Sequence, residues 1–213
     1  MTRTTTVPTP VGRARLTAAE AGDARATLVL GHGAGGGIGA RDLAVLAKAL
    51  PAHGIRVIRV EQPWRVAGRK VGPAPAVLDQ AWTAVLDAVP RDVPVVVGGR
   101  SAGARVACRT AGAVDAHAVV ALAFPLHLPG RPERSRLDEL VGAGVPTLVV
   151  QGERDSFGRP GEFPQGGPFD LVPIAHADHG MAVLKAHDQQ ETLDLVVSTV
   201  RAWVGNAVTA PRR

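Results

Sequence analysis

Short apolar runs alternate with helical patterns along most of this 213-residue chain. The apolar runs predict an edge strand near 14–18 and further strands over 27–30, 55–60, 93–97, 118–123, 146–151 and 171–174. Apolar residues spaced three and four apart predict helices over 41–50, 76–88, 137–141 and 187–204. After the glycine-rich segment 98–103, a helix of small residues is expected to continue to about residue 111. This alternation indicates a doubly wound α/β fold, in which helices cover both faces of a mostly parallel sheet.

The length and the 46% hydrophobic content suit one domain, which we predict over residues 11–206. Residues 1–10, rich in Thr, Pro and Arg, are expected to form a flexible leader, and residues 207–213 a flexible tail. The leader lacks the apolar stretch of a secretory signal, and no segment reaches the ~20 apolar residues of a membrane span. We therefore expect a cytoplasmic protein that does not bind membranes.

The charge pattern and the cysteine content exclude several classes of function. The net charge is +5, but the arginines are scattered and aromatic residues make up only 3% of the chain, so we expect no nucleic-acid partner. The single cysteine, Cys108, rules out an internal disulfide and a zinc site built on paired cysteines. In the small-residue helix, its thiol is expected to be buried and structural. No metal or other cofactor is predicted.

The segment Gly99-Arg-Ser-Ala-Gly103 follows an apolar strand and precedes a helix. This is the pattern of a nucleophile elbow, in which a strained turn exposes a serine, and small residues two positions before and after it permit close packing. Ser101 is therefore the candidate nucleophile. The alternative is a tight turn in which the Ser101 hydroxyl merely caps the following helix.

An activated serine needs a base and an acid that orients the base, and in this fold class they follow in the order serine, acid, histidine. Asp155 lies in the loop just after the predicted strand 146–151 and is the candidate acid. Glu153 and Asp170 are rivals, and a loop aspartate also commonly forms an Asx turn.

His179 follows the strand 171–174 and precedes Gly180, and it is the candidate base, with His176 as the rival. In this interpretation His179 takes the Ser101 proton and later protonates the leaving group. Asp155 fixes the histidine tautomer and stabilises the imidazolium.

A second glycine-rich stretch, Leu30-Gly-His-Gly-Ala-Gly-Gly-Gly37, follows the strand 27–30. An oxyanion hole needs backbone N–H groups directed at developing negative charge. We expect one from Ala102 and a second from either Ala34 or Gly33. His32 is expected to brace this loop by hydrogen bonding, at the border of the cleft.

The same stretch also reads as a dinucleotide fingerprint, with Gly31, Gly33 and Gly36 in the required spacing and Glu61 at the end of the next strand. A nicotinamide-dependent oxidoreductase is therefore an alternative. It leaves Ser101, Asp155 and His179 without a role.

Three further residues lie close enough to predicted strand ends to line a substrate cleft: Trp64, Arg100 and His127. Trp64 is equally compatible with a position over the core. A loop histidine such as His127 more often forms a structural hydrogen bond than takes part in chemistry.

Together, the loop at 31–37, the motif at 99–103, Gly152-Glu-Arg-Asp155 and Asp178-His-Gly180 resemble the α/β-hydrolase superfamily. The chain is similar to the small dienelactone-hydrolase-like branch. More narrowly, it resembles predicted hydrolases related to the NSL-complex subunit and the testis-expressed hydrolase-like proteins. That narrower likeness rests on the segments 98–107, 124–130 and 150–158.

The resemblance implies a Ser-Asp-His hydrolase without a cofactor, with Ser101, Asp155 and His179 as the matching residues. Larger superfamily members insert a cap domain after the strand that follows the elbow helix, whereas only a short stretch separates the strands 118–123 and 146–151 here. We therefore expect an open cleft for a small-molecule acyl substrate. A binding or scaffold protein with weak or no turnover is the alternative, and both a monomer and a homodimer remain open.

Overall fold

The computed structural model describes residues 2–210. Within these residues, one sheet holds eight strands in the order β1-β2-β4-β3-β5-β6-β7-β8. The strands are β1 Thr2–Thr9, β2 Gly12–Ala19, β3 Ala26–Gly31, β4 Ile55–Glu61, β5 Val95–Arg100, β6 Ala118–Leu122, β7 Thr147–Gly152 and β8 Asp170–Ile174. The β1/β2 and β2/β4 pairs are antiparallel, and all pairs from β4 across to β8 are parallel.

In the described part of the chain, six α-helices connect or flank the strands: α1 Arg41–Ala49, α2 Pro63–Val66, α3 Pro75–Asp87, α4 Ala102–Thr110, α5 Leu137–Val141 and α6 Gln189–Thr209. Successive side chains of a strand point to opposite faces, so the sheet has two apolar cores. Val29 of β3 packs on the side of α3, α4 and α5, whereas its neighbours Leu28 and Leu30 pack on the side of α1 and α6. The doubly wound, mostly parallel α/β fold predicted from the sequence is confirmed.

The prediction of a flexible leader over residues 1–10 is wrong for Thr2–Thr9, which pair along their whole length with β2. Most of these side chains are exposed, so β1 carries no apolar signal, although β-branched threonine favours a strand. As a consequence β2, predicted near 14–18 as an edge strand, lies inside the sheet. At the other terminus α6 extends through residues 207–209 of the predicted tail, and residues 211–213 lie outside the described part of the chain.

The connection between β6 and β7 contains α5 as its only helix or strand within the described chain. No cap domain is inserted in this connection within the described chain. Among residues 2–210, no helix combines the length and the apolar character needed to span a bilayer.

Candidate active site

Ser101 sits in the turn between β5 and α4 with φ 53° and ψ −116°, a conformation that costs energy for any residue with a side chain. The turn fits because two glycines flank it. A Cβ on either Gly99 or Gly103 would lie 2.4 Å from the carbonyl oxygen of Gly31, well inside contact distance. The Ser101 N–H donates to the carbonyl oxygen of Leu122 on the neighbouring strand, at 3.0 Å. The strand, turn and helix predicted for this motif are all present.

Three side chains from three loops form one hydrogen-bonded series. His179 Nε2 lies 2.9 Å from Ser101 Oγ, and His179 Nδ1 lies 2.8 Å from Asp155 Oδ2 and 3.0 Å from Oδ1. Asp155 follows β7 and His179 follows β8, so each residue extends from the carboxyl end of a strand. The structure therefore brings together the three residues that the sequence selected.

The rival residues are engaged elsewhere. Glu153 accepts a hydrogen bond from the backbone N–H of His176, and Asp170 accepts one from Trp203 Nε1. The His176 ring is exposed and stacks on that of His187, with centroids 3.7 Å apart. None of these side chains contacts Ser101.

The Asp155 carboxylate is fully buried and is surrounded by donors. Besides the hydrogen bonds from His179, the carboxylate accepts one from the Phe157 backbone N–H at 2.8 Å and one from Gln151 Nε2 at 3.0 Å. Gln151 Nε2 also lies within hydrogen-bond distance of the Gly158 carbonyl oxygen, and it thereby ties the loop to the end of β7. Gln151 belongs to no sequence motif, and its only signal is a polar side chain at the end of an apolar strand.

The His179 ring is held on its face as well as at its nitrogens. The Phe157 ring stacks on it at a centroid distance of 4.2 Å and an interplanar angle of 29°. The side chain remains 21% exposed, so one side of the imidazole still faces solvent. Asp178 Oδ1 accepts the backbone N–H groups of Gly180 and Ala182, which fixes the turn that carries His179.

Arg100, which was predicted to line the cleft, is held by internal contacts. Its Nε donates to Oδ2 of the fully buried Asp42 at 2.9 Å, and its Nη2 donates to the backbone carbonyl oxygen of His179. Both ends of the guanidinium are thus used for internal contacts, because Arg100 is the last residue of β5 and points across the sheet end. Arg100 and Asp42 therefore position the loop that carries His179, a role that sequence patterns did not reveal.

His32 braces the glycine-rich loop, as expected. Its Nδ1–H donates to the Gly33 carbonyl oxygen at 2.8 Å, and its Nε2 accepts the Gln62 backbone N–H at 3.1 Å. Only the neutral imidazole with its proton on Nδ1 satisfies both contacts. Burial lowers the pKa of His32, which favours this neutral form.

The three predicted oxyanion donors border one cavity of about 270 Å³. Within residues 2–210, the backbone N–H groups of Gly33, Ala34 and Ala102 donate to no protein acceptor. Gly33 also lies against the elbow, since a Cβ built on it would be 3.3 Å from Ser101 Cβ. Free donors and a nucleophile-bearing turn therefore meet at the same cavity.

Of the other two predicted cleft residues, Trp64 lines this cavity and His127 does not. Trp64 is 5% exposed, lines this cavity and touches His32 with ring centroids 5.5 Å apart. His127 does not line it: its Nδ1 donates to the Leu128 carbonyl oxygen and its Nε2 to Glu162. His127 is held by these two bonds, which is the structural role that a loop histidine more often has.

The dinucleotide alternative lacks its structural context. A phosphate-binding glycine motif opens directly into a helix, whereas α1 begins only at Arg41, after further loop residues. Glu61, the proposed ribose ligand, is paired with Arg15 at 3.1 Å. Within the described chain, no three His, Cys, Asp or Glu side chains are grouped so that they could hold a metal ion.

Comparison with solved structures finds close similarity of fold at low sequence identity. XC6422 from Xanthomonas campestris, described as an α/β serine hydrolase without a lid, shares 21% identity, with 95% of this chain and 94% of that chain covered and a TM-score of 0.71. The dienelactone hydrolase of Anabaena variabilis shares 16% identity over 97% of both chains at a TM-score of 0.73. Est1E from Butyrivibrio proteoclasticus shares 15% over 97% of this chain and 99% of its own, also at 0.73.

No curated protein matches the chain. The alpha/beta hydrolase domain family, in contrast, matches residues 24–205, which is most of the sequence and includes every element of the site. The chain belongs to the alpha/beta hydrolase family.

Proposed function

We propose that this protein is a serine hydrolase that cleaves an ester, thioester or related acyl bond of a small substrate. The observation that carries the proposal is the continuous hydrogen-bonded series from Ser101 Oγ through His179 to the buried Asp155. A serine at neutral pH is a weak nucleophile, and a histidine within hydrogen-bond distance of its hydroxyl is what activates it.

In the proposed reaction His179 Nε2 removes the Ser101 proton while Oγ bonds to the substrate carbonyl carbon. The tetrahedral intermediate collapses, His179 returns the proton to the leaving oxygen or sulfur, and an acyl-serine remains. Water, deprotonated in turn by His179, hydrolyses this ester and restores Ser101. Throughout, Asp155 accepts a hydrogen bond from the Nδ1–H group of His179 and stabilises the imidazolium that forms.

For the oxyanion hole we propose the backbone N–H groups of Ala102 and Ala34. Ala102 is the first residue of α4, where N–H groups have no intrahelical partner. In a trans peptide, C=O and N–H point in opposite directions. The Gly33 carbonyl oxygen accepts a hydrogen bond from His32 Nδ1–H. The N–H of Ala34, which belongs to the same peptide unit, is therefore directed away from His32. Ala34 is therefore better oriented than Gly33 to be the second donor.

Ester chemistry is supported by the functions stated for the structural relatives, among them a dienelactone hydrolase and an Est1E structure with bound ferulic acid. The absence of a cap between β6 and β7 favours small or partly exposed acyl substrates. The fully assembled site argues against the scaffold alternative, which would not need it. The narrower likeness to the NSL-complex hydrolases, the cytoplasmic location and the lack of nucleic-acid or membrane partners stay proposals that rest on the sequence.

Labelling with a fluorophosphonate, followed by intact mass measurement, tests nucleophile activation even while the natural substrate is unidentified. Wild type should gain one adduct, Ser101→Ala none, and Ser198→Ala, which changes an exposed serine of α6, one adduct again. p-Nitrophenyl esters should then be hydrolysed faster with acetyl than with decanoyl chains. Absence of an adduct on folded wild type would reject the proposed function.

A further inference from the structure

The cavity beside Ser101 contains buried polar atoms that the protein itself does not satisfy. Gln62 Oε1, Trp64 Nε1 and Trp82 Nε1 are buried and have no hydrogen-bond partner within residues 2–210, and all three residues line the cavity. The Trp82 ring faces Gly31 of the lining with Cζ3 and Cη2 and not with Nε1. Gln62 and Trp64 are each 5% exposed. Buried polar groups without partners are rare in folded proteins, and a missing ligand is one of the usual reasons for them.

Neighbouring contacts tie both atoms to this cavity. The Gln62 amide lies beside α3, where its Nε2 is 3.5 Å from the carbonyl oxygen of Leu78, a lining residue. The edge of the Trp64 ring that carries Nε1 lies beside Gly72, also a lining residue, because a Cβ on Gly72 would be 3.8 Å from Nε1. Gln62 and Trp64 are thus two lining side chains that each carry a polar group without a partner, an acceptor on Gln62 and a donor on Trp64.

The rest of the lining is mainly apolar, and its one charge is already compensated. The apolar surface comes from several aliphatic residues and prolines: Val71, Pro73, Pro75, Leu78 and Val106. Arg105 is the charged residue among the lining residues described, and it forms a two-point ion pair with Glu139 at 2.8 and 2.5 Å. A second carboxylate would have to compete with Glu139 for this guanidinium.

Resting on the proposed function, we infer that this cavity binds a substrate portion with an apolar body and a neutral hydroxyl group. A hydroxyl has one donor and two acceptor lone pairs, so it can donate to Gln62 Oε1 and accept from Trp64 Nε1. A carboxylate only accepts, and it would face the Gln62 oxygen. A methyl group of similar size would leave both atoms unpaired. Gln62 and Trp64 thus determine specificity and take no part in bond cleavage.

Binding to the Ser101→Ala protein tests this inference, because that variant cannot turn the ligand over. Isothermal titration calorimetry compares methyl esters of phenylacetic acid that carry a hydroxyl, methyl or carboxylate group at the meta or para position. One aromatic ring with a short acyl arm suits a cavity of about 270 Å³. We expect one hydroxyl isomer to bind at least 10-fold more tightly than its methyl analogue, since a site built around a hydrogen bond rejects partners that lack it.

Replacing Gln62 by methionine in the same Ser101→Ala background keeps the length of the side chain and removes the acceptor. The hydroxyl preference should fall below threefold, while Gln80→Met, which alters an exposed glutamine of α3, should preserve it. Without ligand, Gln62→Met should melt at the same temperature as its parent or higher, because a buried acceptor without a partner is lost. A structural role for Gln62 predicts a lower melting temperature instead.

Three results would overturn the inference: equal binding of hydroxyl and methyl analogues, tighter binding of the carboxylate, or no binding by any member of the series. The first is the result expected if a trapped water satisfies both atoms. Each is distinguishable from failure of the proposed function, which is decided by fluorophosphonate labelling of Ser101 in the wild type. A labelled wild type without hydroxyl preference rejects only the specificity assignment.

Discussion

Arg100 donates a hydrogen bond to the backbone carbonyl oxygen of His179, a residue 79 positions later in the chain. The residue directly before the candidate nucleophile thereby holds the loop that carries the candidate base. The guanidinium is fixed at its other end by Asp42, whose carboxylate is fully buried and also accepts the backbone N–H of Leu43. The distance between Ser101 and His179 thus depends on a buried ion pair outside the hydrogen-bonded series.

Removing the positive member of this pair should be costly. Arg100→Met leaves the Asp42 charge buried without its partner, and we expect the free energy of unfolding to fall by about 3–5 kcal/mol. Asp42→Asn in the same chain should recover part of that loss, because the unpaired charge is gone. Urea unfolding of both single variants and the double variant measures the coupling. Strictly additive losses would contradict a direct interaction.

Asp155→Asn tests the orientation of the histidine. The amide NH₂ would face the donors Gln151 Nε2 and His179 Nδ1–H, so the imidazole loses the acceptor that selects its tautomer. We expect kcat to fall about 10⁴-fold, as in other serine hydrolases that lose this carboxylate. Steady-state kinetics on p-nitrophenyl acetate provide the measurement, with Glu153→Gln as the matched loop control. Loss of less than tenfold would reassign the acid.

The close approach of Gly103 to Gly31 predicts strong sensitivity to a single methyl group. In Gly103→Ala the new Cβ would lie 2.4 Å from a backbone oxygen that cannot rotate away, and we expect a loss of about 3 kcal/mol or more in unfolding free energy. Gly112→Ala is the matched control at the end of α4, since a Cβ there meets nothing within 4 Å. Equal stability of the two variants would refute the close packing at the elbow.

The His127–Glu162 pair should make stability depend on pH. The hydrogen bond to the Leu128 carbonyl oxygen, together with Glu162, raises the pKa of His127 above its ordinary 6.5. The stabilisation is therefore complete below about pH 6.5 and is lost as the pH rises through the folded-state pKa. The difference in unfolding free energy between wild type and His127→Gln should shrink from pH 6 to pH 8. A constant or growing difference would contradict the assignment.

The parallel sheet and the elbow were predictable because each carries a local signal. The apolar runs of β3 to β7 lie in a doubly covered sheet, and strand Val95–Arg100 followed by Ser101 and helix α4 reproduces the expected turn. The same holds for Asp155 and His179, which follow strand ends where this fold class has its functional groups.

Other features depend on contacts between distant residues and leave no local pattern. β1 is a polar edge strand, recognisable only through its pairing with β2. The link from Arg100 to His179, and the hydrogen bond from Gln151 to Asp155, require the loops to be folded before the partners can be identified. The hydrogen bond between His127 and Glu162 is hidden for the same reason, since Glu162 lies 35 positions later.

Both glycines of the elbow, Gly99 and Gly103, pack against Gly31, which belongs to the neighbouring strand β3. The close packing around the strained serine turn is therefore complete only when β3 is paired with β5. During denaturation, the reactivity of Ser101 should disappear as soon as this central pairing opens, while helices on the periphery still contribute to circular dichroism. Reactivity of the serine is in this sense a reporter of the integrity of the middle of the sheet.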